Sequence, residues 1–255
     1  MATTFKFDKG PSASWAKLFF EAPRAYYVTH TSARFRTEFG PVYYRGRLNG
    51  SAKLLIVGQD PSTDEILAQR NLVGASGQRV QRLLNKLGIS KSYIMFNTFL
   101  FGIKGQMDAA MNAIAIEPTI LNYRNGLFNK VVAENAIQAI ISFGNGADLA
   151  INNWPTRPAA IPWFQLHHPS AADNIVLPNW NANLNNLRAA VTPDKLSLVN
   201  LTPYGAAFGA QDVADIPRED LAFGIADWHG TGGATRSQRN GGQCHQLDVA
   251  AVNLL

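Results

Sequence analysis

Residues 53–62 read KLLIVGQDPS. The run KLLIV over 53–57 is apolar apart from its lysine and stops at Gly58. It predicts a short strand buried on both faces, the kind a parallel sheet contains. Downstream, Val80, Leu83, Leu84 and Leu87 recur at helical spacing over residues 76–87, and Gly88 supplies a stop. A second strand is expected at 93–96 (YIMF), ending at Asn97. Behind Pro118, residues 119–135 carry a helical pattern, and 136–143 (AIQAIISF) is a third apolar run that ends at Gly144. A short helix follows at 147–152. Residues 163–166 (WFQL) form a fourth strand ending at His167 and His168. The series closes with a helix at 180–191, with Leu184, Leu187 and Val191 on one side. Strands alternating with helices predict an α/β fold of three layers, α/β/α, around a central, mostly parallel, four-stranded sheet.

The chain of 255 residues is 46% apolar and 16% charged. It can therefore bury a sizeable core, and disorder is excluded because that needs low hydrophobicity and high charge. One cysteine, Cys244, excludes an internal disulfide, a multi-cysteine zinc site and an iron–sulfur cluster. No apolar stretch reaches the ~20 residues of a membrane span. Residues 1–10 carry Lys6, Asp8 and Lys9 ahead of any apolar run, so a secretory signal is not expected and a cytoplasmic location is. Residues 1–200 are expected to form one domain. From 201 to 255, Pro203, Gly205, Gly209, Pro217, Gly224 and five later glycines punctuate a loop-rich extension packed on it.

The net charge of +5 is unevenly spread. The first fifty residues hold eight cations and three anions, whereas residues 201–255 hold three and six. Arg34, Arg36, Arg45 and Arg47 interleave with Phe35, Phe39, Tyr43 and Tyr44, which suits either a polyanion-binding surface or a solvated face beside core rings.

Functional groups of open α/β sheets gather at the carboxyl ends of the strands. Here those ends read Gly58-Gln59-Asp60-Pro61, Asn97-Thr98, Gly144-Asn145-Gly146 and His167-His168-Pro169-Ser170. Each has an ordinary structural reading as a turn or cap, but together they bring a carboxylate, an amide and an imidazole to one rim. Gly144-Asn145-Gly146 is not a dinucleotide-binding turn, because Leu149 occupies the third glycine's place and no acidic residue follows between 149 and 172.

Gly58-Gln59-Asp60-Pro61, Asn97, His168-Pro169-Ser170 and the stretch LVGASG at 72–77 resemble the uracil-DNA glycosylase superfamily from about residue 34 to 191. The resemblance implies a monofunctional DNA glycosylase of base excision repair. Such an enzyme flips uracil out of DNA and hydrolyses its N-glycosidic bond without metal or cofactor. It leaves abasic-site DNA and free uracil, and it acts as a monomer. Asp60 would position the attacking water and stabilise the cationic sugar. His168 would donate to uracil O2 as charge develops there. Asn97 would read the base edge with one donor and one acceptor. Gln59 and Leu72 would complete the uracil pocket. Ser62 and Ser170 would contact DNA phosphates. Beyond the reach of the resemblance, Arg236 and Arg239 in the stretch TRSQR at 235–239, between glycines, suit either a grip on the phosphate backbone or a solvated loop. No lysine lies at these motifs, which suits direct water attack.

The sequence also departs from the family pattern. Ser62 stands where the best-known branch has a thymine-excluding tyrosine, so room beside uracil C5 is expected. Leu72 replaces a stacking phenylalanine, leaving Phe96, Phe99 and Phe143 as candidate rings. Ala171-Ala172-Asp173 replaces the apolar wedge that fills the vacated stack, leaving Ile175 or Leu177 for that task. The cysteine-bound iron–sulfur cluster of the thermophilic branch is ruled out by the single cysteine. Two rivals follow: a module that binds uracil or abasic DNA with little turnover, and a glycosylase for another deaminated base, hypoxanthine or xanthine.

Overall fold

The computed structural model describes residues 7–31, 33–226 and 229–231. In chain order the elements are helices α1 (Ala13–Phe20) and α2 (Arg24–His30), strands β1 (Arg45–Gly46) and β2 (Leu54–Gly58), and helices α3 (Thr63–Ala68) and α4 (Ala75–Lys86). Strand β3 (Tyr93–Asn97), helices α5 (Ala109–Ala115) and α6 (Pro118–Glu134), strand β4 (Ala139–Phe143), helix α7 (Asn145–Asn152), strand β5 (Trp163–Leu166) and helix α8 (Asp173–Ala190) follow.

The strands lie in the order β1-β3-β2-β4-β5, and all but β1 run parallel. The four expected strands are all present, and every residue of β2, β3 and β4 is buried. Alternate side chains explain why: each strand must satisfy two apolar layers. Leu54, Ile56, Tyr93, Met95, Ile141 and Phe143 pack against Val80, Leu83 and Leu84 of α4 and Trp180, Leu184 and Leu187 of α8. On the opposite face Leu55, Val57, Ile94, Phe96 and Ile140 meet Trp15 of α1, Leu127 and Phe128 of α6, and Ala150 and Ile151 of α7. Fully burying one such large apolar side chain stabilises by roughly 1.5–3 kcal/mol, so the three layers are held from both sides. No helix among the described residues is long and apolar enough to cross a membrane.

Two features differ from expectation. A fifth strand, β1, joins antiparallel at the edge, pairing Arg45 with Met95 and Gly46 with Ile94. Helix α8 begins at Asp173, seven residues ahead of the expected start, and contains Pro178. That proline has no N–H to give to the preceding turn. Val176 and Leu177 before the proline and Trp180 after it are nevertheless buried, so packing carries the helix across it.

Residues 201–226 contain only two short 3-10 turns, yet they bury Tyr204, Ile216, Asp220 and Leu221. Ile216 and Leu221 close a small cluster with Ala68 and Val73. Asp8 near the start of the chain donates its N–H to the Leu221 carbonyl (2.8 Å), and its carboxylate accepts from Tyr44 and Arg70.

Candidate active site

The register brings Gly58 of β2 level with Asn97 of β3, and Phe143 of β4 level with Leu166 of β5. Pairing continues one step past the strands, through Thr98 N–H to Gly58 O (2.9 Å), Phe99 N–H to Gln59 O (3.0 Å) and Gly144 N–H to Leu166 O (2.8 Å). The Thr98 hydroxyl reaches both Gly58 O and Gly146 O, tying β2, β3 and the start of α7 together. One rim therefore carries Gln59, Asp60, Asn97 and the loop of His168.

Asp60 is half-buried, and both its oxygens are held. Oδ2 accepts from the Ile103 N–H (2.8 Å) and Oδ1 from Gln59 Nε2 (3.1 Å). Burial pushes its carboxyl above the ordinary carboxylate range; the Ile103 and Gln59 donors and the Arg36 guanidinium pull the other way. Gln59 lies against Gly146, where a Cβ would stand 2.9 Å from its Cγ. Ser62 is exposed and starts α3, but its hydroxyl hydrogen is committed to Glu65 Oε2 (2.5 Å). The other oxygen of Glu65 accepts from the N–H groups of Val73 and Gly74 (3.1 Å each), so this buried carboxylate joins the Asp60 loop to the Leu72 loop.

Asn97 is 4% exposed. Its Nδ2 donates to Asn71 Oδ1 (3.1 Å), while its Oδ1 is buried and accepts no hydrogen bond among the described residues. A Cβ at Gly58 would collide with that Oδ1 and lie 3.9 Å from Leu72 Cδ1, so glycine leaves the space in which amide and leucine converge. Leu72 adopts a left-handed backbone (φ +53°), unusual for a bulky residue. It is fixed by Arg45 Nη1, which donates to its carbonyl, and by Gly77, whose missing side chain makes room for that carbonyl. Phe96, Phe99 and Phe143 are all fully buried among other rings, so none offers an open stacking face.

His168 is half-buried, and burial lowers its pKa, which keeps the ring neutral. Its Nδ1 lies 3.2 Å from the Ser170 backbone nitrogen and 2.7 Å from the Ser170 hydroxyl. A backbone N–H can only donate, so Nδ1 accepts and the ring proton sits on Nε2. The exposed Ser170 thus orients the imidazole. Gly144 (φ +85°) passes so close that a Cβ would stand 3.1 Å from His168 Cβ. Arg79 donates to Pro169 O (2.6 Å) and lies over the Phe208 ring at 4.1 Å, bracing the loop from behind. His167 donates its N–H to Asn179 and gives its carbonyl to Trp180, a packing role.

The basic front of the chain does not form one outward face. Arg45 is fully buried, pairs with Asp220 (3.2 Å) and donates to Gln81 (2.7 Å); Arg47 takes the other Asp220 oxygen (3.0 Å). Arg34 is bound to Asp108 through both carboxylate oxygens. Arg36 alone of the four is exposed without a hydrogen bond or ion pair of its guanidinium among the described residues. Of the two wedge candidates, Leu177 is 1% exposed and belongs to the core, whereas Ile175 is 48% exposed. Arg236 and Arg239 lie outside the described residues. Asn71, Arg79 and Asp220 carry no motif, and sequence reading missed them.

The rim thus brings together an oriented carboxylate, a buried amide whose acceptor has no partner among the described residues, and a neutral imidazole N–H donor. No curated protein gives a significant match to the chain. The family model described as the uracil DNA glycosylase superfamily matches residues 45–187, more than half of the sequence and the segment that builds this rim. The chain belongs to the uracil-DNA glycosylase superfamily.

Proposed function

We propose that this protein is a monofunctional glycosylase that removes uracil from DNA. Membership in the superfamily supports a DNA glycosylase, a hydrolase acting on DNA. The observation that carries the finer reading is the buried, unpartnered acceptor of Asn97 on the rim that also carries a held carboxylate. A flipped uracil would give its N3–H to Asn97 Oδ1 and take the remaining Nδ2 hydrogen at O4, with Leu72 against the ring. As the bond from C1′ to N1 breaks, its electron pair leaves with uracil, and the His168 Nε2–H meets the charge growing on O2. Asp60 faces the cationic sugar and directs a water oxygen to C1′. The products are free uracil and an abasic site; no step calls for a metal or cofactor, and one monomer holds the whole rim.

In this reading Ile175 enters the vacated stack, and Arg36 and Ser170 meet phosphates. Ser62 joins them only if a phosphate displaces Glu65 from its hydroxyl, and Arg236 and Arg239 add contacts from the extension. Hypoxanthine and xanthine carry the same neighbouring ring N–H and carbonyl, so they are the rival substrates. Oligonucleotides containing U, T, hypoxanthine or xanthine, incubated with the protein and then treated with alkali, test the reading. Strand breaks at U are expected. Breaks only at the purines would transfer the function to those bases, and tight abasic-site binding with no breaks would make the chain a binding module.

A further inference from the structure

The amide of Asn97 can serve as a base reader only if it cannot turn over. Rotation by half a turn exchanges its oxygen and nitrogen, and an acceptor that fits a lactam edge becomes a donor that fits an amino edge. The side chain immediately behind it is Asn71, fully buried and one residue ahead of Leu72. Asn71 Nδ2 donates to the backbone carbonyl of Tyr43 (3.2 Å), with a longer contact to that of Met95 (3.5 Å). Its own N–H lies 3.4 Å from the Tyr44 carbonyl. Carbonyl oxygens only accept, so the nitrogen end of Asn71 must face them and its Oδ1 must face Asn97. An acceptor there demands a donor, so Asn97 turns Nδ2 toward Asn71 and leaves Oδ1 as the unpartnered acceptor.

We infer that Asn71 is the positioning residue that fixes the polarity of Asn97, and hence selects bases with a ring N–H beside a carbonyl against cytosine. This rests on the reading of Asn97 as the base-reading amide. Cytosine is the informative competitor because it matches uracil in size and differs only in that edge: its N3 accepts and its N4 donates. In the orientation that Asn71 enforces, cytosine would set acceptor against acceptor at N3 and donor against donor at N4. A chain that lacks Asn71 leaves both amide orientations open.

The test is binding, free of the cleavage step. Oligonucleotides carrying 2′-fluoro-2′-deoxyuridine or 2′-fluoro-2′-deoxycytidine resist glycosidic cleavage, because fluorine disfavours the cationic sugar. Dissociation constants are measured for both, each against the same duplex with an ordinary thymine. Wild type should prefer the uracil probe by roughly ten- to a hundredfold, the range of one correctly read base edge. In Asn71→Ala that preference should shrink by about tenfold or more. Asn71→Asp is the paired control. Buried and protonated, its carboxyl offers one donor to the carbonyls and one acceptor to Asn97, so it should keep the preference even if it melts earlier. If the alanine variant does not fold, Asn71→Leu fills the space with apolar atoms and carries the same expectation. Asn71→Ala or Asn71→Leu with an undiminished preference, or Asn71→Asp without one, overturns the assignment. A wild type that binds both probes alike overturns the reading of Asn97 itself, a different failure seen in a different arm.

Discussion

At Asp60 the chemistry and the stability of the fold pull apart. Burial raises the pKa of its carboxyl, so the folded protein keeps that proton to a higher pH than the unfolded chain does. Stability contributed at this position therefore falls as pH rises from the ordinary carboxylate value through the raised one, and above both the whole cost is present. Asparagine keeps the shape and has nothing to ionise. Asp60→Asn should melt above wild type at neutral pH and converge with it in acid, while single-turnover cleavage drops on the order of 10²–10³ or more. Melting curves from acid to neutral pH, run beside the cleavage assay, check both halves; undiminished cleavage would reduce Asp60 to a turn residue. The placement of Asp60, Asn97 and His168 at one rim was legible in the sequence because each lies within three residues of the end of an apolar run. Asn71 was not. Its meaning comes from carbonyls of Tyr43 and Met95 that are distant in the chain, and no local pattern records such partners.

Among the elements, the strands were readable for a physical reason: a strand covered on both faces is apolar at nearly every position, and LLIV, YIMF and AIISF show it. β1 has two residues, one of them a buried arginine, and gives no periodic signal. The early start of α8 was hidden by Pro178. The segment after residue 200 is loop-rich in sequence, yet it supports the core through a buried charge. Asp220 is fully buried, accepts from the Tyr93 hydroxyl (2.6 Å) and neutralises Arg45, which in turn holds the Leu72 carbonyl. Asp220→Ala would leave a buried guanidinium unpaired, at a cost of about 3–5 kcal/mol. Denaturant titration should show this as an earlier midpoint; a shift below about 1 kcal/mol, the range of a surface pair, would contradict the burial argument. Removal of everything after residue 200 should abolish folding rather than weaken binding.

For the whole molecule, the opposed charges of the two chain ends acquire a different meaning. The basic front and the acidic tail meet: Arg45 and Arg47 close on Asp220, and the Asp8 N–H donates to the Leu221 carbonyl. Of the four arginines at 34–47, Arg36 is the one the proposed function leaves to meet a phosphate, and its field also reaches Asp60. Arg36→Ala should flatten the salt dependence of DNA binding by close to one phosphate contact, a slope change of about 0.9. Arg34→Ala should change it less, since Asp108 already holds that guanidinium. Equal slopes in wild type and Arg36→Ala would place the phosphate contacts elsewhere. The brace formed by Arg79 has a further consequence, and it concerns motion. Arg79 grips Pro169 in the histidine loop and lies on Phe208 in the C-terminal segment, whose N–H is in turn held by Asp173 of α8 (3.1 Å). One side chain thus links the histidine loop to the C-terminal segment, and a loop that swung off the rim would forfeit the Arg79–Pro169 hydrogen bond. In the proposed function, a step that lifts His168 away from the base, the departure of product included, would therefore be slower with Arg79 in place than without it.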